Sequence, residues 1–278
     1  MNLVEFTLVV WVGAVGAGFL GALTGLGGGV VIVPLLTVIF GVDIHYAIGA
    51  ALVSVIATSS GAAAAYVREG FSNVRVGMFL EIATTIGALV GAGVVLYLRV
   101  SVISLIFGLV LLYSAYASIT QAPHERQDPG PDRIGTALKM DSSYPTASGF
   151  VSYHVHGVPV GFALMFIAGV LSGLLGIGSG AVKVLAMDRA MKLPFKVSTT
   201  TSNFMIGVTA AAGAGIYLSR GYIDPGLAMP VMLGVLMGSL AGARVLVGAK
   251  VRVLRIVFST VIAALAIEMI YKGFSGKL

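Results

Sequence analysis

Three features of this sequence are made of residues that could do chemistry. Within "GALTGLGGGVVIVP" (21–34), four glycines, Gly25, Gly27, Gly28 and Gly29, interrupt an apolar run that would otherwise be helical. A second cluster, Gly176, Gly178 and Gly180 around Ser179, interrupts "GLLGIGSGAVKVLAM" (173–187) and is followed by Lys183. The third feature is "STTTSN" (198–203), six consecutive hydrogen-bonding side chains. Glycine lets a ligand reach the backbone because no Cβ intervenes. Free N–H groups at a helix start, with the positive dipole end behind them, suit an anion. Such groups hold a dehydrated oxyanion; they do not break bonds. The candidate binding set is Gly27, Gly28, Gly29, Gly178, Ser179, Gly180, Lys183, Thr199, Thr200, Ser202, Asn203 and Ser54. Over a helix, residues 199, 202 and 203 share one side and 200 another. By rough alignment Asn203 corresponds to Ser54, which gives one polar residue from each half.

Each feature also has a plainer reading. Glycines four apart, such as Gly87/Gly91 and Gly234/Gly238/Gly242, let membrane helices approach closely, and Ser, Thr and Asn commonly bond between such helices. A lysine in a membrane segment costs several kcal/mol unless paired or wet, which makes Lys183 a functional candidate. The alternative is snorkelling, since Asp188 and Arg189 mark a nearby boundary. Glu81 and Glu268 lie in or near apolar stretches. Either could carry a coupling proton, but placement at the boundary is the expectation.

Enzyme readings fail on the residues. "GLGGGV" and "GIGSGA" lack the last glycine of G-x-G-x-x-G, and neither ends in the Gly-Lys-Ser/Thr of a phosphate loop. Ser179 has no histidine in any later apolar stretch to activate it, no H-E-x-x-H occurs, and there is no cysteine. No catalytic residue, metal or cofactor is expected. His124, His154 and His156 read as solvated loop residues.

The elements that position these groups are membrane segments. Of 278 residues 58% are hydrophobic and 10% charged, against about 25% charged in a soluble domain. Apolar blocks cover roughly 3–40, 46–67, 76–98, 100–120, 158–190, 194–218, 226–247 and 253–271. The expected fold is an all-α polytopic membrane protein in the cytoplasmic membrane. Residues 1–120 and 158–278 form two membrane repeats. Residues 121–157, rich in Pro, Gly and charge, form a mobile cytoplasmic linker.

The halves repeat at a shift of 151. Residues 17–36 and 168–187 match at nine of twenty positions, and the same shift pairs Gly70 with Gly221, Gly87 with Gly238 and Gly91 with Gly242. Eight simple crossings would split the 17 Lys and Arg residues nine to eight, against the positive-inside rule. If blocks 1 and 5 each enter and return on one side, bending at the glycines, the split becomes thirteen inside and four outside, which again sums to 17. Each half then has an odd number of net crossings, so the repeats are inverted and about ten segments result. Broken helices of inverted repeats meet near the midplane around an anionic substrate.

"GLGGGVVIVPLL", recurring as "GIGSGAVKVLAM" before "KVSTTTSNFMIGVTAAAGAGIYLSRGYI", resembles the TauE/SafE sulfite exporter family of membrane anion transporters. The resemblance spans both repeats. It implies secondary transport of sulfite, sulfonates or related sulfur-containing anions. The implied partners are that small anion and the lipid bilayer, with no nucleic acid. The sequence departs from the family at Ser179, where a third glycine is usual, and in "GAALVSVIATSS" (49–60), which is poorer in hydroxyls than its counterpart. A passive anion channel or a membrane receptor subunit is the alternative built from the same polar groups.

Overall fold

The computed structural model describes residues 2–24, 28–68, 70–120, 130–146, 149–246 and 251–275. The first half runs α1 (Leu3–Thr24), α2 (Gly29–Pro34), a π-helical turn (Leu35–Ile39), α3 (Ile44–Arg68), α4 (Val74–Val95) and α5 (Val100–Thr120). The second half repeats the series as α7 (Val158–Leu175), α8 (Gly180–Leu185), a π-helical turn (Ala186–Ala190), α9 (Phe195–Ser219), α10 (Pro225–Leu246) and α11 (Val251–Ser275). Helices α2, α3, α4 and α5 and the π turn begin 151 residues before their counterparts. The wide turn is built alike in both halves. Phe40 N–H donates to Leu35 O at 3.4 Å, and Met191 N–H to Ala186 O at 3.1 Å.

The helices α1, α4, α7 and α10 are each long and apolar enough to cross a membrane, and shorter apolar helices accompany them. Their outer faces are apolar where a soluble helix would be polar. Along α4, Met78, Ile82, Ile86 and Leu89 stand exposed at helical spacing, with Met78 63% exposed. Apolar side chains facing outward at i, i+4 and i+8 belong against lipid.

Both glycine interruptions turn the chain back towards where it came from. The Phe6 and Phe40 rings meet at 6.1 Å, and His156 N–H donates to Met191 O at 3.0 Å. The start of each long helix therefore lies beside the end of the short segment that follows it. Contacts divide the molecule into two ends. One gathers Phe40, His45, Tyr222 and Lys272, with His45 stacked on Tyr222 at 5.0 Å and Lys272 donating to Val38 O at 3.0 Å. The other gathers residues 71–75, 139–146, 149–156 and 191–201.

The connecting segment carries secondary structure of its own. Only 121–129 and 147–148 of it lie outside the described residues; the rest is built as structure. Asp132 caps α6 (Arg133–Ala137) by accepting from Ile134 and Gly135 N–H. Strands β1 (Ser142–Thr146) and β2 (Gly149–Tyr153) pair antiparallel, with Tyr144 opposite Val151. Asn73 anchors this unit: its Nδ2 donates to Met140 O at 2.9 Å and to the Tyr153 hydroxyl at 2.8 Å, while its Oδ1 caps α4. Burial pushes the Tyr153 hydroxyl's ionisation up, so this anchor stays neutral at physiological pH. Within this unit Gly135 lies in α6, Pro145 in β1 and Gly149 in β2. Met140, Tyr153 and Val155 pack with Met165, Met187 and Met191.

The halves are joined by reciprocal close packing. Gly87 lies against Phe166 O and Val170 N, and its counterpart Gly238 lies against Val15 O and Phe19 N, the residues 151 earlier. Gly18 meets Val235, as Gly169 meets Thr84, again 151 apart. No Cβ fits at these four glycines, so backbone touches backbone. Gly234 meets Trp11 and Gly238 meets Val15, so α1 and α10 run in the same direction. Gly87 and Gly91, against Phe166 and Val170, give the same relation for α4 and α7.

Candidate functional site

The two glycine interruptions meet inside the protein. A Cβ on Gly29 would lie 2.6 Å from Val55 Cγ2, 3.0 Å from Gly176 O and 3.6 Å from Ile177 Cα. On Gly28 it would lie 2.5 Å from Val235 Cγ1, and on Gly178 2.9 Å from Ile206 Cγ2 and 3.3 Å from Val55 Cγ1. Val55 of α3 and Ile206 of α9 therefore clamp the paired tips. Gly27 lies outside the described residues. Gly176 (φ +70°) and Gly178 (φ +68°) hold left-handed conformations that suit glycine.

Ser179 shares that left-handed backbone (φ 49°) without glycine's freedom. An αL conformation in a non-glycine residue costs on the order of 1 kcal/mol. Its hydroxyl is also buried with no hydrogen-bond partner, and the residue is 3% exposed. Strain and an unspent donor coincide at the tip.

The hydroxyl row of α9 splits. Ser202 reaches the tip, with its Oγ donating to Gly180 O at 3.4 Å. Thr199 Oγ1 donates back to Phe195 O at 2.9 Å. Thr200 Oγ1 lies 3.0 Å from Phe71 O, and Thr201 Oγ1 accepts from Asn73 N–H at 2.9 Å. Thr200 and Thr201 thus stitch the start of α9 to the turn before α4, away from the tips. Asn203 is half-buried. Because α3 and α9 start 151 apart, Asn203 corresponds to Leu52 and Ser54 to Met205. Ser54 therefore does not pair with Asn203; its buried Oγ donates to Ala50 O at 2.8 Å.

Lys183 does not snorkel. It is fully buried on α8, and its Nζ donates to Thr209 Oγ1 of α9 at 2.6 Å. Thr209 in turn reaches Glu81 Oε1 of α4 at 2.7 Å. Glu81 is not at a boundary either: it is 8% exposed, and its Oε2 has no hydrogen-bond partner. It stands eight residues beyond Asn73, about 12 Å along the helix. Thr84 lies 3.3 Å from Thr209 Oγ1, and Thr85 Oγ1 lies 3.4 Å from Glu81 Oε1. Neither Thr209 nor Thr84 stands out in the sequence: Thr84 is one of a threonine pair in an apolar stretch, and Thr209 lies beyond the hydroxyl row that opens its helix. The outlying Glu268 is exposed. Among the described residues no group of three His, Asp or Glu side chains could hold a metal.

The family model of the sulfite exporter TauE/SafE matches residues 10–269. "Probable membrane transporter protein YunE" of Bacillus subtilis is 27% identical over 276 residues, covering 97% of this chain and 98% of its own. "Probable membrane transporter protein YdhB" of the same organism is 26% identical over 85% of this chain and 87% of its own. A "Probable membrane transporter protein" of Xylella fastidiosa is 25% identical, with 97% of each chain covered. No solved structure matches.

Proposed function

We propose, for a chain that belongs to the sulfite exporter TauE/SafE family and is a multi-pass membrane transporter, that its cargo is a small sulfur oxyanion, sulfite or an organosulfonate. The anion binds between the paired glycine tips, and access alternates between the two faces as the tips part on one side and then the other. The observation that carries this reading is Ser179, strained and with its buried hydroxyl unspent at the point where the tips meet. An oxyanion stripped of water must recover hydrogen bonds. A preset donor beside glycine backbone offers them without holding the anion too tightly. Gly28, Gly29, Gly178, Gly180 and Ser202 complete the proposed binding set, with Gly27 next to them in sequence, and Lys183 supplies positive charge one turn further along α8.

Ser179→Gly separates the two roles of the residue. It restores the glycine present at this place in the first half and removes the αL strain, so thermal stability should rise by about 1 kcal/mol. It also deletes the donor, so sulfite affinity should fall by about 0.5–1.5 kcal/mol. Uptake of labelled sulfite into liposomes and the ligand-dependent melting shift measure both. Unchanged affinity together with raised stability would sink the tip site.

The halves are proposed to be inverted, with the connecting unit and the ends near residues 71–75 and 191–201 in the cytoplasm. Support comes from the charge bias and from the parallel course of α1 with α10 and of α4 with α7. Single cysteines are clean probes because the chain has none. Tyr97→Cys should react with an impermeant maleimide added to intact cells, and Lys139→Cys should react only after lysis. The reverse pattern overturns the orientation, and reaction of both in intact cells overturns the two-sided arrangement.

A further inference from the structure

We propose that Glu81 is the proton-carrying group of this transporter, and that its protonation converts the Lys183–Thr209–Glu81 chain from a neutral site into a cationic one that accepts the anion. The proposal rests on the transport reading above and names its coupling ion. With Lys183 protonated and Glu81 ionised, the buried charges sum to zero, and a dehydrated anion gains no net attraction. A proton taken up on Glu81 leaves the lysine uncompensated, and a monoanion then restores neutrality. One proton therefore accompanies each monoanion, entering from one face with it and leaving at the other.

Three observations carry this assignment. First, the carboxylate is buried and asymmetrically used: Oε1 is held by Thr209 at 2.7 Å, while Oε2 has no partner and is the atom free to take the proton. Second, Lys183 and Glu81 do not pair directly but through the Thr209 hydroxyl, which accepts from Nζ and can donate to Oε1. That spacing lets either charge change without breaking a direct ion pair. Third, the arrangement exists in one half only. Positions 151 away from Lys183, Glu81 and Thr209 hold Ile32, Met232 and Thr58, and Thr58 Oγ1 merely donates back to Ser54 O at 3.0 Å. A structural bridge required by the repeat would occur twice.

The surroundings leave Glu81 to answer mainly to Lys183. The α7 face packed against α4 has no ionisable residue. On α9 the ionisable groups are Lys196, over the Phe71 ring at 4.0 Å near the helix start, and Tyr217 near its far end. On α8 Lys183 is the one charge, followed by Asp188 and Arg189 in the π turn. On α4 itself Arg75 contacts Lys139 O at the connecting unit. Coupling of this kind is reciprocal, so a proton that promotes anion binding is itself held more firmly when the anion is bound.

The test uses the full-length protein in liposomes with labelled sulfite, under an imposed pH gradient with the membrane potential clamped, and in parallel by exchange at equal pH. Sulfite titrates near neutrality, so the comparison is between variants under identical solutions. Wild type should accumulate sulfite above equilibrium with the gradient. Glu81→Gln should lose that accumulation entirely while still exchanging, at reduced rate, and Glu81→Asp, which keeps a carboxyl, should retain it. If the glutamine and aspartate variants are both active or both inactive in accumulation, the proposal is overturned. Wild-type exchange without any response to the gradient overturns the coupling but leaves anion transport standing. Absence of sulfite exchange by the wild type removes the transport reading, and the coupling with it.

Discussion

Gly29→Val should bring sulfite uptake down to the level of empty liposomes while the protein still inserts in the membrane. The added Cβ would sit 2.6 Å from Val55 Cγ2, which can rotate, but also 3.0 Å from Gly176 O and 3.6 Å from Ile177 Cα, which are backbone of the opposite tip. Relief must therefore come from separating the tips. Overpacking of this kind costs about 1–3 kcal/mol. Conformational balances in proteins are set by a few kcal/mol, so this is enough to hold the tips in one arrangement and stop alternation. Gly180→Ala is the contrasting variant. Its methyl meets Ile206 Cδ1 at 2.9 Å, the end of a flexible side chain, so most activity should survive. Normal uptake by Gly29→Val would mean that the tips need not move past each other, and the site would lie elsewhere.

Lys183→Met should lower sulfite affinity at least tenfold, about 1.4 kcal/mol, and destabilise the protein as well. The methionine fills the space of the lysine stem but leaves Glu81 without a compensating charge. Breaking one side of a buried charged pair costs about 3–5 kcal/mol. The double variant Lys183→Met/Glu81→Gln should recover much of that stability while affinity remains low, since no positive charge is restored. Lys183→Arg should be milder than Lys183→Met. Melting curves with and without sulfite read both quantities. Affinity in Lys183→Met equal to wild type would confine this residue to holding α8 against α9.

Much of the architecture was written in the glycines. The shift of 151 inferred from matched residues is the shift at which the helices α2 to α5 restart as their counterparts. The bends at Gly29 and Gly180 return each segment to its own end because backbone this apolar can break its helix only where protein covers it. The site was less legible. "STTTSN" suggests one polar surface, yet Thr200 and Thr201 are claimed by Phe71 and the Asn73 backbone, residues more than 120 positions earlier. Glu81 looked like a boundary residue because its partners, Thr209 and Lys183, are reached only through tertiary packing. The secondary structure of the connecting segment is hard to read from its residues for a related reason. "SSYPT" and "GFVSY" are too short and too polar to announce a hairpin, and their order comes from docking onto Asn73.

The reciprocal contacts of α1 with α10 and α4 with α7 bear on how the polypeptide comes to be folded at all. These pairings, together with α3 on α9 and α5 on α11, are the most extensive among the described residues, and every one joins the first half to the second. Neither half contains a fold of its own to which it could retreat. A chain cut within residues 121–129 would thus behave as an obligate heterodimer, its two fragments becoming native only together. By the same logic, a ribosome that has released residues 1–120 has made a product without a core, waiting in the bilayer for its other half.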